Sequence, residues 1–151
     1  MFRARYNNEK RVVCALFRYY NADMGSCVGS LKKHLEIAKE KLAALSTAYH
    51  NRQHTVVGDL GTKVVEQLIE ADAARIDKHF GTHFERHDHA SKEFPKEINA
   101  AMKRVWFAYG DLGYDGVNGK RAREIITNLN KIVEFFEGRL GEKIQPKAKP
   151  Q

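Results

Sequence analysis

Apolar residues return every three or four positions over most of this chain, and that spacing restricts it to packed helices. From Ser30 onward, Leu31, Leu35, Ala38, Leu42 and Leu45 fall on one face of a 3.6-residue turn, with Ser30 placed as the N-cap. A second segment, from about Gln53 to Phe80, directs Val57, Leu60, Val64, Leu68 and a run of alanines toward a core. Gly58 and Gly61 weaken its helix propensity, and on an apolar face such glycines admit a close neighbouring helix. Pro95 opens a third segment, with Ile98, Ala101, Met102, Val105, Trp106 and Tyr109 facing inward. The connection YGDLGYDGVNG ends it, and Asn118-Gly119 is a turn signal before the last helix. That helix turns Ala122, Ile125, Ile126, Leu129, Ile132, Val133, Phe136 and Leu140 inward and stops at Gly141. No strand-period run of useful length competes. The expected fold is all-α, an up-and-down four-helix bundle with an additional short N-terminal helix.

A length of 151 residues suits one domain with a real core. Residues 1–29 read as an N-terminal extension and linker: an Arg-rich, aromatic start with a short helix from about Glu9 to Tyr20, then the Gly/Ser/Cys stretch NADMGSCVGS. Residues 30–141 form the bundle, and residues 142–151 a basic tail expected to be disordered. Charges interrupt the apolar stretch near the start, which argues against a membrane span and fits a secretion signal poorly. Cys14 and Cys27 lie in no CxxC or Cys/His pattern, so free thiols in a reducing cytoplasm are expected. Lys and Arg exceed Asp and Glu by 26 to 19, an excess that serves either solubility or contact with a polyanion such as RNA.

The most pointed chemistry lies in KHFGTHFERHDHAS, where His79, His83 and His87 sit four apart and His89 follows. On a continuous helix the first three share a face, where imidazoles one turn apart hold a cation with Glu85 or Asp88 as oxygen donors. His50 and His54 repeat the spacing. The competing reading is a solvated, partly helical connection interrupted at Gly81. No ExxH pair or HExxH motif accompanies the histidines. Asp111, Asp115 and Gly116 match positions one, five and six of a calcium loop, but Gly113 and Ala122 occupy positions three and twelve, so the segment reads as an interhelical turn. Nucleophile elbows and phosphate-binding glycine loops are absent, and no cofactor is required.

The segment HTVVGDLGTKVVEQLIEADAA followed by HFGTHFERH, with a basic last helix, resembles the HEPN superfamily of nucleotide- and RNA-associated bundles over roughly Ser30 to Leu140. The resemblance implies a homodimeric module that contacts RNA, a nucleotide or a partner protein. The family's ribonuclease signature, an Arg followed by a His after four to six residues near the last helix, is missing. Arg104 and Arg121 have no downstream histidine, and Arg75 and His79 are separated by three residues. A non-catalytic binding or regulatory role is therefore the expectation. One alternative is an RNase or nucleotide-handling enzyme in which His83 and His87 move protons while Arg86 and Arg104 stabilise phosphorane charge. Another is a metal-binding bundle using His79, His83, His87 and His89. Contact candidates are Lys103, Arg104, Tyr114, Lys120, Arg121 and Arg123, and Phe107, Tyr109 and Tyr114 lie beyond the main apolar stripe, where they either form a dimer surface or complete the core.

Overall fold

Four helices of 20 to 22 residues carry the bundle in the computed structural model, which describes residues 29–145. They are α1 (Leu31–His50), α2 (His54–Ala74), α4 (Lys96–Asp115) and α5 (Gly119–Leu140), and the short α3 (His83–Glu93) joins the two pairs. Among the described residues there is no strand, and no helix is long and apolar enough to cross a membrane. The expected N-terminal helix and both cysteines lie outside the described residues.

The sequence of α2 explains its position. Val57, Val64, Val65, Leu68, Ile69, Ala71 and Ala73 leave it apolar on nearly every side, and such a helix must be surrounded. It packs against α1 on one side and against both α4 and α5 on the other. Ser30 caps α1, its side chain accepting from the Lys33 amide at 3.3 Å, and Leu35, Ala38, Leu42 and Leu45 are buried as the periodicity requires. The two glycines of α2 mark the closest approaches. A Cβ at Gly61 would stand 2.7 Å from Ile125 Cγ2, and one at Gly58 would stand 3.1 Å from Leu112 Cδ1.

Three sequence expectations change. The second helix stops at Ala74 rather than near Phe80, and Asp77 takes a left-handed φ of 53° in the turn that follows. The third runs through Gly110 and Gly113 to Asp115, so the connection is only residues 116–118. Gly116 (φ 77°) ends α4 and Asn118 caps α5, accepting from the Arg121 amide at 3.1 Å. On α4, Ala108 and Leu112 take the core positions while Tyr109 is 41% exposed, because the helix continues where a turn was expected. Residues 142–145 also depart from the disordered tail expected there. Ile144 is buried, and the Ile144 and Gln145 amides donate to Glu137 Oε1 at 2.8 and 3.0 Å. Residues 146–151 lie outside the described residues.

Two expectations follow from this packing. Gly61→Ala forces Ile125 aside and should lower the unfolding free energy by about 1–2 kcal/mol, after crediting the better helix propensity of Ala. Gly110→Ala meets open space and should raise it by about 0.5–1 kcal/mol. Urea unfolding of both variants checks the pair. At the C-terminal clip, the amides of Gln145 and Ile144 hold the Glu137 carboxyl below its ordinary 4.5. A depressed carboxyl contributes stability that is complete above the unfolded value and is lost as pH falls through the folded one. The Ile144 and Gln145 amide resonances should therefore titrate with an apparent pKa below 4.5, and Glu137→Gln should abolish that titration.

Candidate functional site

Polar groups on a buried helix face need partners, and α2 buries three carboxylates: Glu66, Glu70 and Asp72, each no more than 4% exposed. Glu66 and Glu70 lie one turn apart on a common face. Glu70 Oε1 accepts from Arg86 Nε at 2.8 Å; its Oε2 accepts from the Phe80 amide at 3.0 Å and lies 2.9 Å from His79 Nδ1. Glu66 Oε2 accepts from Lys63 Nζ at 2.9 Å, while Oε1 has His83 Nε2 at 3.2 Å without a hydrogen bond to it. Asp72 is clasped from α5, where Arg139 donates through Nε at 2.7 Å and through its second nitrogen at 3.2 Å. Arg75 and His89 Nε2 complete its shell at 3.0 and 3.3 Å. Burial pushes the Asp72 carboxyl up, but the hydrogen bonds of Arg139 and His89 and the charges of Arg139 and Arg75 outweigh it and hold the group below its ordinary value.

The chain reaches these carboxylates through a turn and a capping box. Thr82 Oγ1 accepts from the Glu85 amide at 3.2 Å, and Glu85 Oε2 accepts from the Thr82 amide at 3.1 Å, so α3 starts at His83. This start divides the histidine run. His79 stays in the preceding turn against Glu70, with its ring stacked 6.0 Å from that of His34. His83 faces Glu66, His87 lies 3.5 Å centroid to centroid from Trp106, and His89 is buried between Asp72, Phe80 and Phe94. The four expected metal candidates thus turn to four separate partners, and the single helical face anticipated for them does not form. Glu85 is spent on the cap, and Asp88 pairs with Lys92 at 2.7 Å. His50 and His54 also fall on different helices, separated by the turn at Arg52.

Four residues of this site were absent from the sequence-based candidates: His34, Glu66, Glu70 and Asp72. Two signals pointed to them. Glu66, Glu70 and Asp72 stand among the apolar residues of the second half of α2, where a carboxylate is buried and needs a partner, and the Thr82-x-x-Glu85 pattern marks a helix start in the middle of the histidine run. His34 of α1 is 7% exposed; its Nδ1 lies 2.8 Å from Gln67 Oε1, and its Nε2 is buried without a partner. One ring nitrogen each of His34 and His79 and one Glu70 oxygen lie within 4.8 Å of one another.

The residues expected to form a nuclease centre are brought together only in part. His83 and Arg86 both approach Glu66 Oε1, at 3.2 and 4.0 Å, and Arg86 is anchored on Glu70 at 2.8 Å. His87 lines the groove between α3 and α4 with Phe84, Lys96, Lys103 and Trp106, whereas Arg104 lines a different groove, between α4 and α5, with Asn128 and Lys131. Burial, then the charges of His83 and Lys103, push the His87 imidazole below its ordinary value, which favours the neutral ring. Of the contact candidates, Lys103, Arg104, Lys120 and Arg123 are exposed and Tyr114 is 94% exposed, while Arg121 is tied to Asp111 at 2.7 Å and to Glu124 at 2.8 Å.

Asp72→Asn removes the charge that answers Arg139, Arg75 and His89. Full loss of one member of a buried pair is worth more, but water reaches both arginines, so urea unfolding should show a loss of about 2–4 kcal/mol. Comparison of the chain with family models, curated proteins and solved structures finds no match.

Proposed function

We propose that this protein is a non-catalytic, HEPN-type binding module that takes single-stranded RNA on the face formed by α3 and α4. The observation that carries the reading is an unburied aromatic stripe bordered by cations. Along α4, Lys96, Ala100, Lys103, Phe107, Gly110 and Tyr114 recur at alternating spacings of four and three, all on the outer side. Phe107 is 72% exposed, Tyr114 94%, and Phe84 on the adjoining α3 80%. Three large rings left in water on one face are costly for a protein that contacts nothing there. Stacking platforms flanked by lysines are how sequence-tolerant single-strand binders hold bases and phosphates, and the net charge of +7 has the required sign. The His87 ring, 3.5 Å centroid to centroid from Trp106, extends the platform.

The non-catalytic part rests on the engagement of His83 and Arg86 by the buried carboxylates and on the different grooves that His87 and Arg104 line. A general acid or base must sit within hydrogen-bond reach of the reacting group, and the arginines would have to converge on the same phosphate. A homodimer belongs to the same reading through the HEPN resemblance, and a cytosolic location through the cysteine pattern.

Fluorescence anisotropy with a labelled single-stranded RNA tests it. Binding should weaken steeply with added salt, and Lys103→Ala should reduce the salt slope by about one. Replacing Phe107 and Tyr114 together by Ala should cost roughly tenfold or more in affinity, since each stacked base contributes about 1–3 kcal/mol. The RNA should remain intact throughout. Absent or salt-insensitive binding overturns the RNA assignment, and cleavage lost in His83→Ala overturns the non-catalytic one.

A further inference from the structure

We propose that His34, Glu70 and His79 form a site for a divalent transition metal, with Zn²⁺ the ion their chemistry fits best. Pairing between Glu70 and His79 would account for His79 as an ordinary ion-paired imidazole. It leaves His34 unexplained. Gln67 Oε1 takes the hydrogen of His34 Nδ1, which fixes the tautomer and leaves Nε2 with a bare lone pair. That nitrogen is buried and has no hydrogen-bond partner. A metal-ligating histidine commonly has this arrangement, the far ring nitrogen donating to a fixed acceptor and the near one free to coordinate.

The surroundings fix how the donors are held. Gly29 lies over the face of the His34 ring: a Cβ there would stand 2.6 Å from Nε2, 2.9 Å from Cε1 and 3.2 Å from Cδ2, so any side chain would push the ring out of position. Arg86 holds Glu70 Oε1 and thereby orients the carboxylate, with Oε2 turned to His79. His79 is the adaptable ligand: its side chain is 46% exposed and it belongs to the turn after α2. Zinc bonds of about 2.0–2.1 Å place tetrahedral ligands roughly 3.3 Å apart, so the donors must close from within 4.8 Å. Movement of His79 supplies that closure, and its exposed side admits water as a fourth ligand. Two imidazoles and one carboxylate suit Zn²⁺ or Co²⁺, whereas Ca²⁺ and Mg²⁺ require oxygen-rich shells.

The test uses the full chain without a histidine tag, titrated with Zn²⁺ against a chromophoric chelator and separately with Co²⁺. The expected result is one ion per chain, cobalt d–d bands of a four- or five-coordinate N/O site, and a zinc-dependent rise in Tm. His79→Ala should weaken binding at least tenfold and abolish the rise in Tm; its exposure favours retention of the fold, which circular dichroism verifies. Gly29→Val should also weaken binding more than tenfold while removing no ligand. His50→Ala, at the exposed end of α1, should change nothing. The proposal is overturned if the wild-type chain binds no zinc, if folded His79→Ala binds as tightly as wild type, or if His50→Ala removes the binding.

Discussion

The arrangement of this bundle depends on the burial of three carboxylates by α2. Each must be answered by a cation or a hydrogen-bond donor, and the donors come from different parts of the chain: Lys63 within α2, Phe80 and Arg86 after it, and Arg139 from the end of α5. Hydrophobic packing brings the four long helices together, but apolar contacts are non-directional. The carboxylates add direction. Asp72 fixes the end of α5 against the end of α2, and Phe94 between them receives the Arg139 guanidinium 5.2 Å above its ring. Around Phe94, the rings of Phe135, Phe136 and His89 stand edge-on at 5.2 to 5.5 Å, so the polar clasp and an aromatic cluster occupy one end of the bundle.

The short α3 shows why direction matters. Eleven residues are too few for a helix to persist alone in water, and this one buries only His89 and Ala90. Its position rests on the capping box at Thr82, on Arg86 reaching Glu70, and on His87 lying over Trp106. One small helix thus bridges the carboxylates on α2 and the aromatic face on α4. That position gives the histidine run two environments: His79, His83 and His89 beside acids, and His87 beside an indole and Lys103.

The fold was legible in the sequence wherever a single periodicity governed a long segment. The inner faces of α1 and α5 follow directly from leucine and isoleucine spacing, and Ser30, Gly141, Gly58 and Gly61 act as the local chemistry requires. Boundaries failed where two signals competed. The apolar pattern of α2 blends into Ile76 and Phe80, yet the chain turns at Asp77 because the capping box downstream fixes a new helix start. Gly110 and Gly113 suggested a loop, but intrinsic propensity is a weak prior against the packing of Leu112 in the core. The candidate site was legible only in part. Spacing drew attention to the histidines, but their partners come from other helices, and no one-dimensional reading joins His34 to Glu70 across the α1–α2 interface.

The division of charge within the molecule bears on what it can bind. On the inner side, the carboxylates of α2 neutralise Arg86, Arg139 and Arg75, so these cations are unavailable to a polyanion despite their contribution to the net charge. Arg121 is withdrawn in the same way by Asp111 and Glu124. Among the described residues, the surface cations outside an ion pair are chiefly lysines, with Lys103 beside the exposed aromatics. Lysine is a mobile point charge without the planar fork that makes arginine selective. On the proposed RNA-binding reading, a surface of lysines and rings would supply attraction and stacking with little sequence discrimination, and any selectivity on this face would come from the spacing of Phe84, Trp106, Phe107 and Tyr114 rather than from directed hydrogen bonds.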